Sequence, residues 1–152
     1  MPLVNLFGPL DRVLGGVVAA GEVEVIEVAL LALILLNFLT RRIAYRRNKR
    51  QAEDGAEAVS RWSVHELTNL ALVLGAFYYT SLHQHAGIVM STLVVGLFIT
   101  DFFEFESRKV EARREIPLEQ PKGALFASLL VLLYAGYHVF FFLIQAPLGS
   151  VV

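Results

Sequence analysis

The sequence predicts an all-α protein, an integral membrane bundle of four transmembrane helices preceded by an N-terminal interfacial or re-entrant helix. Three observations carry this prediction. Four apolar segments approach the length of a membrane span, since a hydrocarbon core about 30 Å thick needs roughly 20 helical residues at about 1.5 Å each. The cations fall between those segments: of 13 Lys and Arg residues, seven lie between Arg41 and Arg61, five between Arg108 and Lys122, and only Arg12 elsewhere. Alternate connections therefore carry almost all the positive charge, as the positive-inside bias requires. Composition agrees, with 56% hydrophobic residues, 11 Phe and a positive mean hydropathy in a chain of 152 residues.

The elements follow in order within one membrane domain, 1–152. Residues 1–20 are apolar, but Pro9, Asp11, Arg12 and the pair Gly15-Gly16 favour a helix lying at the interface or re-entering it over a fifth span. With no positively charged stretch at the start, this segment does not read as a cleaved signal peptide. The first span covers 21–40, and its helix is expected to continue through Arg41, Arg42, Tyr45, Arg46 and Arg47 until Asp54-Gly55 breaks it. The second covers 64–83. Ser63 and Glu66 are spaced as a capping box, and Trp62 and Leu67 as a hydrophobic staple. A short connection through Gln84, His85, Ala86 and Gly87 makes a tight antiparallel hairpin with the third span, 87–105. Pro117 and Pro121 bracket the entry to the fourth, 122–145, which is expected to stop before Pro147-Leu148-Gly149. The basic connections 41–63 and 106–121 are assigned to the cytosol, so both termini lie outside a multi-pass protein of the cell membrane.

A net charge of -1 points to no nucleic-acid partner, and with no cysteines there are no disulfides, thiolate metal sites or thiol nucleophiles. No complete catalytic motif is present. Small residues recurring every fourth position, Ala71 and Gly75, Thr92, Gly96 and Thr100, and Ala124 and Ser128, mark close helix contacts, either ordinary bundle packing or a homo-oligomer motif.

Ionisable groups at membrane depth are costly and usually face a partner or an aqueous cavity. Here they form two layers. Glu27 and Glu24 rise about 20 and 24 Å from Thr40 at helical pitch, and His83 and His138 about 24 to 26 Å from the inner ends of their helices. His85, Tyr134, Tyr137 and Gln145 join that outer layer. On the second span Asn69, Leu72, Ala76, Tyr79 and His83 share a stripe, and on the fourth Ala127, Val131, Tyr134, His138 and Gln145 do. Imidazoles and carboxylates together suit a divalent metal or a proton relay, so His83, His85, His138, Glu24 and Glu27 are the candidate metal ligands, and two histidines on different helices suit a b-type haem. The plainer account has His83 and His85 solvating the hairpin, Glu22 to Glu27 reaching headgroups and His138 bonding to Tyr or Gln.

The inner layer holds Asn37, Thr68, Asn69, Thr100 and Asp101, followed by Glu104, Glu106, Arg108 and Lys109. Asp101, Glu104 and Arg108 follow an i, i+3, i+7 pattern. An ion pair to Arg41, Arg42 or Arg46 is the structural expectation, and a proton or cation pathway through Asp101 and Glu104 the functional rival.

Leu6-Phe7-Gly8-Pro9-Leu10-Asp11, the Gly75-Ala76-Phe77-Tyr78-Tyr79 run with its His83-Gln84-His85 turn, and Thr100-Asp101-Phe102-Phe103-Glu104-Phe105-Glu106 resemble a haloarchaeal family of small multi-pass membrane proteins of unknown function. Pro121-Lys122-Gly123-Ala124 and Leu132-Leu133-Tyr134-Ala135 extend the likeness over nearly the whole chain. It implies location and source more than chemistry. The role expected is an accessory or scaffold subunit of a membrane assembly, with membrane lipids and other membrane-protein subunits or a second copy as partners. The alternatives are a metal- or haem-binding redox protein and a proton-coupled carrier.

Overall fold

The computed structural model describes residues 8–14, 16–18 and 23–151. Most of this is helix. A short α1, Pro9–Leu14, precedes two 2-residue strands, β1 (Val17–Val18) and β2 (Val23–Glu24), paired antiparallel with Val17 opposite Glu24. Six residues rise only about 9 Å, so α1 does not span. The rest of the 1–20 segment, residues 1–7, 15 and 19–20, lies outside the described residues, as do Gly21 and Glu22. The long helices are α2 (Val25–Glu53), α3 (Ser63–Leu82), α4 (Gln84–Arg113) and α5 (Lys122–Val151). Consecutive helices pack against one another and α5 returns to α2, closing a four-helix ring. Its apolar core includes Ile26, Leu30 and Ile34 from α2, Leu72 and Ala76 from α3, Val94 and Leu97 from α4, and Val131 and Ala135 from α5.

Local chemistry explains the ends. The α2 N-terminus is held by a capping box in which the Glu27 carboxylate accepts from the Glu24 backbone N–H at 3.0 Å, and α2 stops at Asp54, before Gly55 at φ 117°. The capping box expected at Ser63 and Glu66 does not form. Extended Trp62 occupies the N-cap, Ser63 is already helical, and Glu66 lies 3.5 Å from Arg61 instead.

The hairpin is tighter than expected, with His83 alone between α3 and α4. Gly87 permits this closeness, because a Cβ there would sit 2.2 Å from the Thr80 Cα. Past Phe105, α4 runs on to Arg113 and closes in a Schellman motif: Glu115 N–H donates to Ala112 O at 3.2 Å and Ile116 N–H to Glu111 O at 3.1 Å. The expected stop of α5 at Gln145 is also absent, and the helix continues through Pro147 to Val151. Proline's φ suits a helix and its missing N–H removes a single bond, a loss tolerated in apolar helices.

Two stretches, α4 and Lys122–Phe141 of α5, are long and apolar enough to cross a membrane, where four were expected. Neither α2 nor α3 reaches that standard among the described residues, because each mixes its leucines with polar and charged groups.

Candidate functional site

The inner layer converges on Asp101, 4% exposed in the middle of α4. Arg41 Nε donates to its Oδ1 at 3.1 Å, Asn69 Nδ2 donates to Oδ2 at 2.8 Å, and His65 Nε2 lies 3.0 Å from Oδ2. The other donors of Arg41 reach Asn37 Oδ1 at 2.7 Å and Ser128 Oγ at 2.5 Å. Asn37 in turn donates to Asn69 Oδ1 at 2.7 Å and Thr68 Oγ1 at 2.9 Å. Thr40 Oγ1 sits 2.8 Å from His65 Nδ1. That hydroxyl donates to the Asn37 carbonyl at 3.1 Å, and the donor and acceptor roles of the two His65 nitrogens follow its tautomer. The result is a closed circuit of charge-assisted bonds joining all four long helices.

Each member is there for a local reason. Asn37, Thr40, Arg41 and Ala44 fall on the buried face of α2, and His65, Thr68, Asn69 and Leu72 on that of α3, both at spacings of three and four. Glu104, one turn beyond Asp101, takes a different task and accepts from the first amides of α5, Gly123 N at 3.2 Å and Ala124 N at 2.7 Å. Toward the basic end, Arg108 donates to Asn48 Oδ1 at 2.8 Å. Burial pulls the Arg108 guanidinium below its usual value, against the opposing pull of Asp101 and Glu104. A cleft of about 10 Å³, room for one water, is bordered by Arg41, Asn48, His65, Asp101 and Arg108.

The outer layer forms two pairs. Glu24 Oε1 contacts His83 Nε2, and Glu27 Oε2 accepts from the Tyr79 hydroxyl at 2.6 Å while lying 3.6 Å from His138 Nδ1. The His138 ring is framed edge-on by Tyr134 and Tyr137, with centroids at 4.6 and 5.3 Å, and its Nε2 is buried without a partner among the described residues. His85 stands exposed on the first turn of α4, and the side chain of Gln145 lies outside the described part. Among the described residues no three of His, Asp and Glu gather in a set that would hold a metal ion. Asp11 extends this end of the bundle, accepting from the Tyr78 hydroxyl at 2.5 Å.

The expected ion pair to Asp101 is made by Arg41, the first of the three arginines named for it. Sequence reasoning missed His65 and the bonding role of Ser128. The signal for His65 was at hand, since one step of four back along the Asn69, Leu72, Ala76, Tyr79 stripe reaches it. Ser128 carried only the signal of a small residue at a helix contact.

No curated protein and no solved structure matches this chain. One family model does, over residues 1–152, and the chain therefore belongs to the family described as a domain of unknown function, DUF7313.

Proposed function

We propose that this protein is a multi-pass membrane protein whose four long helices all cross the bilayer, serving as a small accessory or scaffold subunit of a membrane assembly. The observation that carries this reading is an inversion of polarity. In α3, His65, Thr68 and Asn69 are buried while Leu67, Leu70, Leu74 and Phe77 are 48–64% exposed. In α2, Asn37, Thr40 and Arg41 are buried while Leu35, Leu36 and Leu39 are 46–56% exposed. An outward apolar belt on every long helix, continued by Phe98 and Phe103 on α4 and Phe126 and Leu133 on α5, suits lipid and does not suit water. Composition alone disqualifies α2 and α3 because it counts polar groups that the bundle hides.

The framework role is supported by the circuit around Asp101. A transport path needs groups that exchange partners, whereas these bonds tie four helices into one register. The cations of the 41–63 and 106–121 connections support a cytosolic assignment for both, with both termini outside, and the motif likeness extends the proposal to a haloarchaeal source.

The absence of cysteine allows a direct test by single-cysteine labelling with an impermeant maleimide. His85→Cys is expected to label in intact cells and Glu57→Cys only after permeabilisation. The opposite pattern overturns the orientation, and labelling of both in intact cells overturns the spans. Cross-linking of the untagged chain before mild solubilisation then tests the scaffold role, with a stoichiometric partner expected.

One observation favours a second reading, a metal- or haem-binding redox protein. His138 turns Nδ1 toward Glu27 at 3.6 Å and leaves its Nε2 buried and unpartnered among the described residues, a nitrogen whose lone pair a metal ion or haem iron would accept. Metal per chain and a Soret band decide it. A proton-coupled carrier using Asp101 and Glu104 is the third proposal, tested by pH-gradient-driven flux in vesicles.

A further inference from the structure

Along one stripe of α2 the chemistry changes from apolar to cationic. Leu35 and Leu39 are followed at helical spacing by Arg42, Arg46 and Lys49, all exposed. From Leu35 to Lys49 the stripe covers about 21 Å at helical pitch. It forms one wall of a groove of about 720 Å³, and Gln120, Pro121 and Leu125 at the entry to α5 form the other. The second wall is held in place by Tyr45, whose hydroxyl donates to the Leu118 carbonyl at 2.8 Å.

The neighbouring cations already have partners: Arg41 pairs with Asp101, Arg61 with Glu66 and Glu106, and Lys109 with Glu106. Among the described residues no carboxylate lies within ion-pair distance of Arg42, Arg46 or Lys49. Three like charges on one face repel one another, an arrangement that an anion relieves. Arginine forks suit phosphate oxygens, and the contiguous leucines supply an apolar half that a soluble phosphate would leave unused.

We propose that this groove binds an anionic phospholipid of the leaflet on the basic side. Arg42, Arg46 and Lys49 hold its phosphate, and one acyl chain lies along Leu35, Leu39 and Leu125. The inference rests on the membrane reading above. It turns a charge bias that sets orientation into a specific lipid seat.

The test is native mass spectrometry of the full chain in a delipidating detergent, titrated with palmitoyl-oleoyl phosphatidylglycerol and, separately, with phosphatidylcholine of the same chains. Adducts with phosphatidylglycerol are expected at roughly tenfold lower lipid concentration. The triple variant Arg42→Gln, Arg46→Gln, Lys49→Gln is expected to lose that preference. Arg42→Lys with Arg46→Lys is expected to retain most of it, which separates lost charge from lost fold. Arg113→Gln with Arg114→Gln, exposed and outside the groove, is expected to retain all of it.

Equal binding of the two lipids overturns the proposal, as does equal loss in the Arg113 and Arg114 control. Competition by glycerol phosphate at the concentration of the lipid overturns it in favour of a soluble phosphate site. Alkaline carbonate washing separates this failure from that of the membrane reading. A chain released from membranes fails both, whereas a chain retained without lipid preference fails the lipid seat alone.

Discussion

Asp101 and Arg41 show how much of this fold depends on single side chains. Both are nearly fully buried, and each is the other's counter-charge. Removing one leaves the other desolvated and uncompensated, so Asp101→Leu is expected to destabilise by about 3–5 kcal/mol. In a double-mutant cycle, Arg41→Met is expected to cost less on the Asp101→Leu background than on the wild type, by about 1–3 kcal/mol. Unfolding titrations in mixed micelles measure both terms, and simple additivity would show that the pair does not act as a unit. Glu106 acts at the surface, where bonding and ion pairing to Lys109, and to Arg61, hold its carboxyl below the ordinary glutamate value of 4.5. Its folded-state pKa is depressed, so its contribution is present above that value and fades as pH falls below it. A thermal-stability series from neutral to acidic pH is expected to show this loss in the wild type and a smaller one in Glu106→Gln.

Among the elements, the α3–α4 hairpin and the α4 terminus are where backbone geometry decides. At Gly87 any side chain meets the Thr80 backbone, so Gly87→Ala is expected to separate the two helices at their hairpin end and to cost about 1–3 kcal/mol. Glu115 presents the opposite case. It holds φ 57° at the position after the α4 C-cap, the left-handed conformation that glycine adopts without penalty. Glu115→Gly is therefore expected to stabilise by about 0.5–1 kcal/mol, read as a raised midpoint in thermal unfolding, and an unchanged or lower midpoint would show that the Schellman geometry carries no strain.

At the level of the whole molecule, the helical bundle was legible because periodicity reports which face is buried: the Asn69, Leu72, Ala76, Tyr79 stripe is the buried face of α3. On α5 the forecast stripe held at Val131 and was a residue off at Ala127, Tyr134 and His138. Ala124, Ser128, Val131, Ala135 and Val139 line the buried face, and Tyr134 and His138 lie on its flank. The pairing of Asp101 with an arginine was legible from cost alone, since a buried acid needs a counter-charge. The fourfold junction with His65, Asn37 and Ser128 was not, because it depends on lateral distances between helices that spacing along one helix does not report. Caps were the least legible, as the failure at Ser63 shows. Whether an oxygen near a helix start bonds to the backbone depends on competitors such as Arg61, which draws Glu66 away. Glu24, Glu27, His83 and His138 divide into two pairs, and the Glu27 oxygen that faces His138 also accepts from the Tyr79 hydroxyl, a partner that spacing along one helix does not report.

If all four long helices cross a bilayer, as proposed above, the buried polar face of α3 bears on the order in which the chain enters it. A nascent helix meets lipid before its future neighbours exist, so His65, Thr68 and Asn69 would weigh against α3 being released there alone. On that reading, the single residue joining it to the apolar α4 would let the two pass from translocon to bilayer as one unit, with hydrophobicity from the later helix offsetting the polarity of the earlier. A nascent chain arrested before α4 emerges would thus leave α3 at the interface, and synthesis of α4 would draw it in.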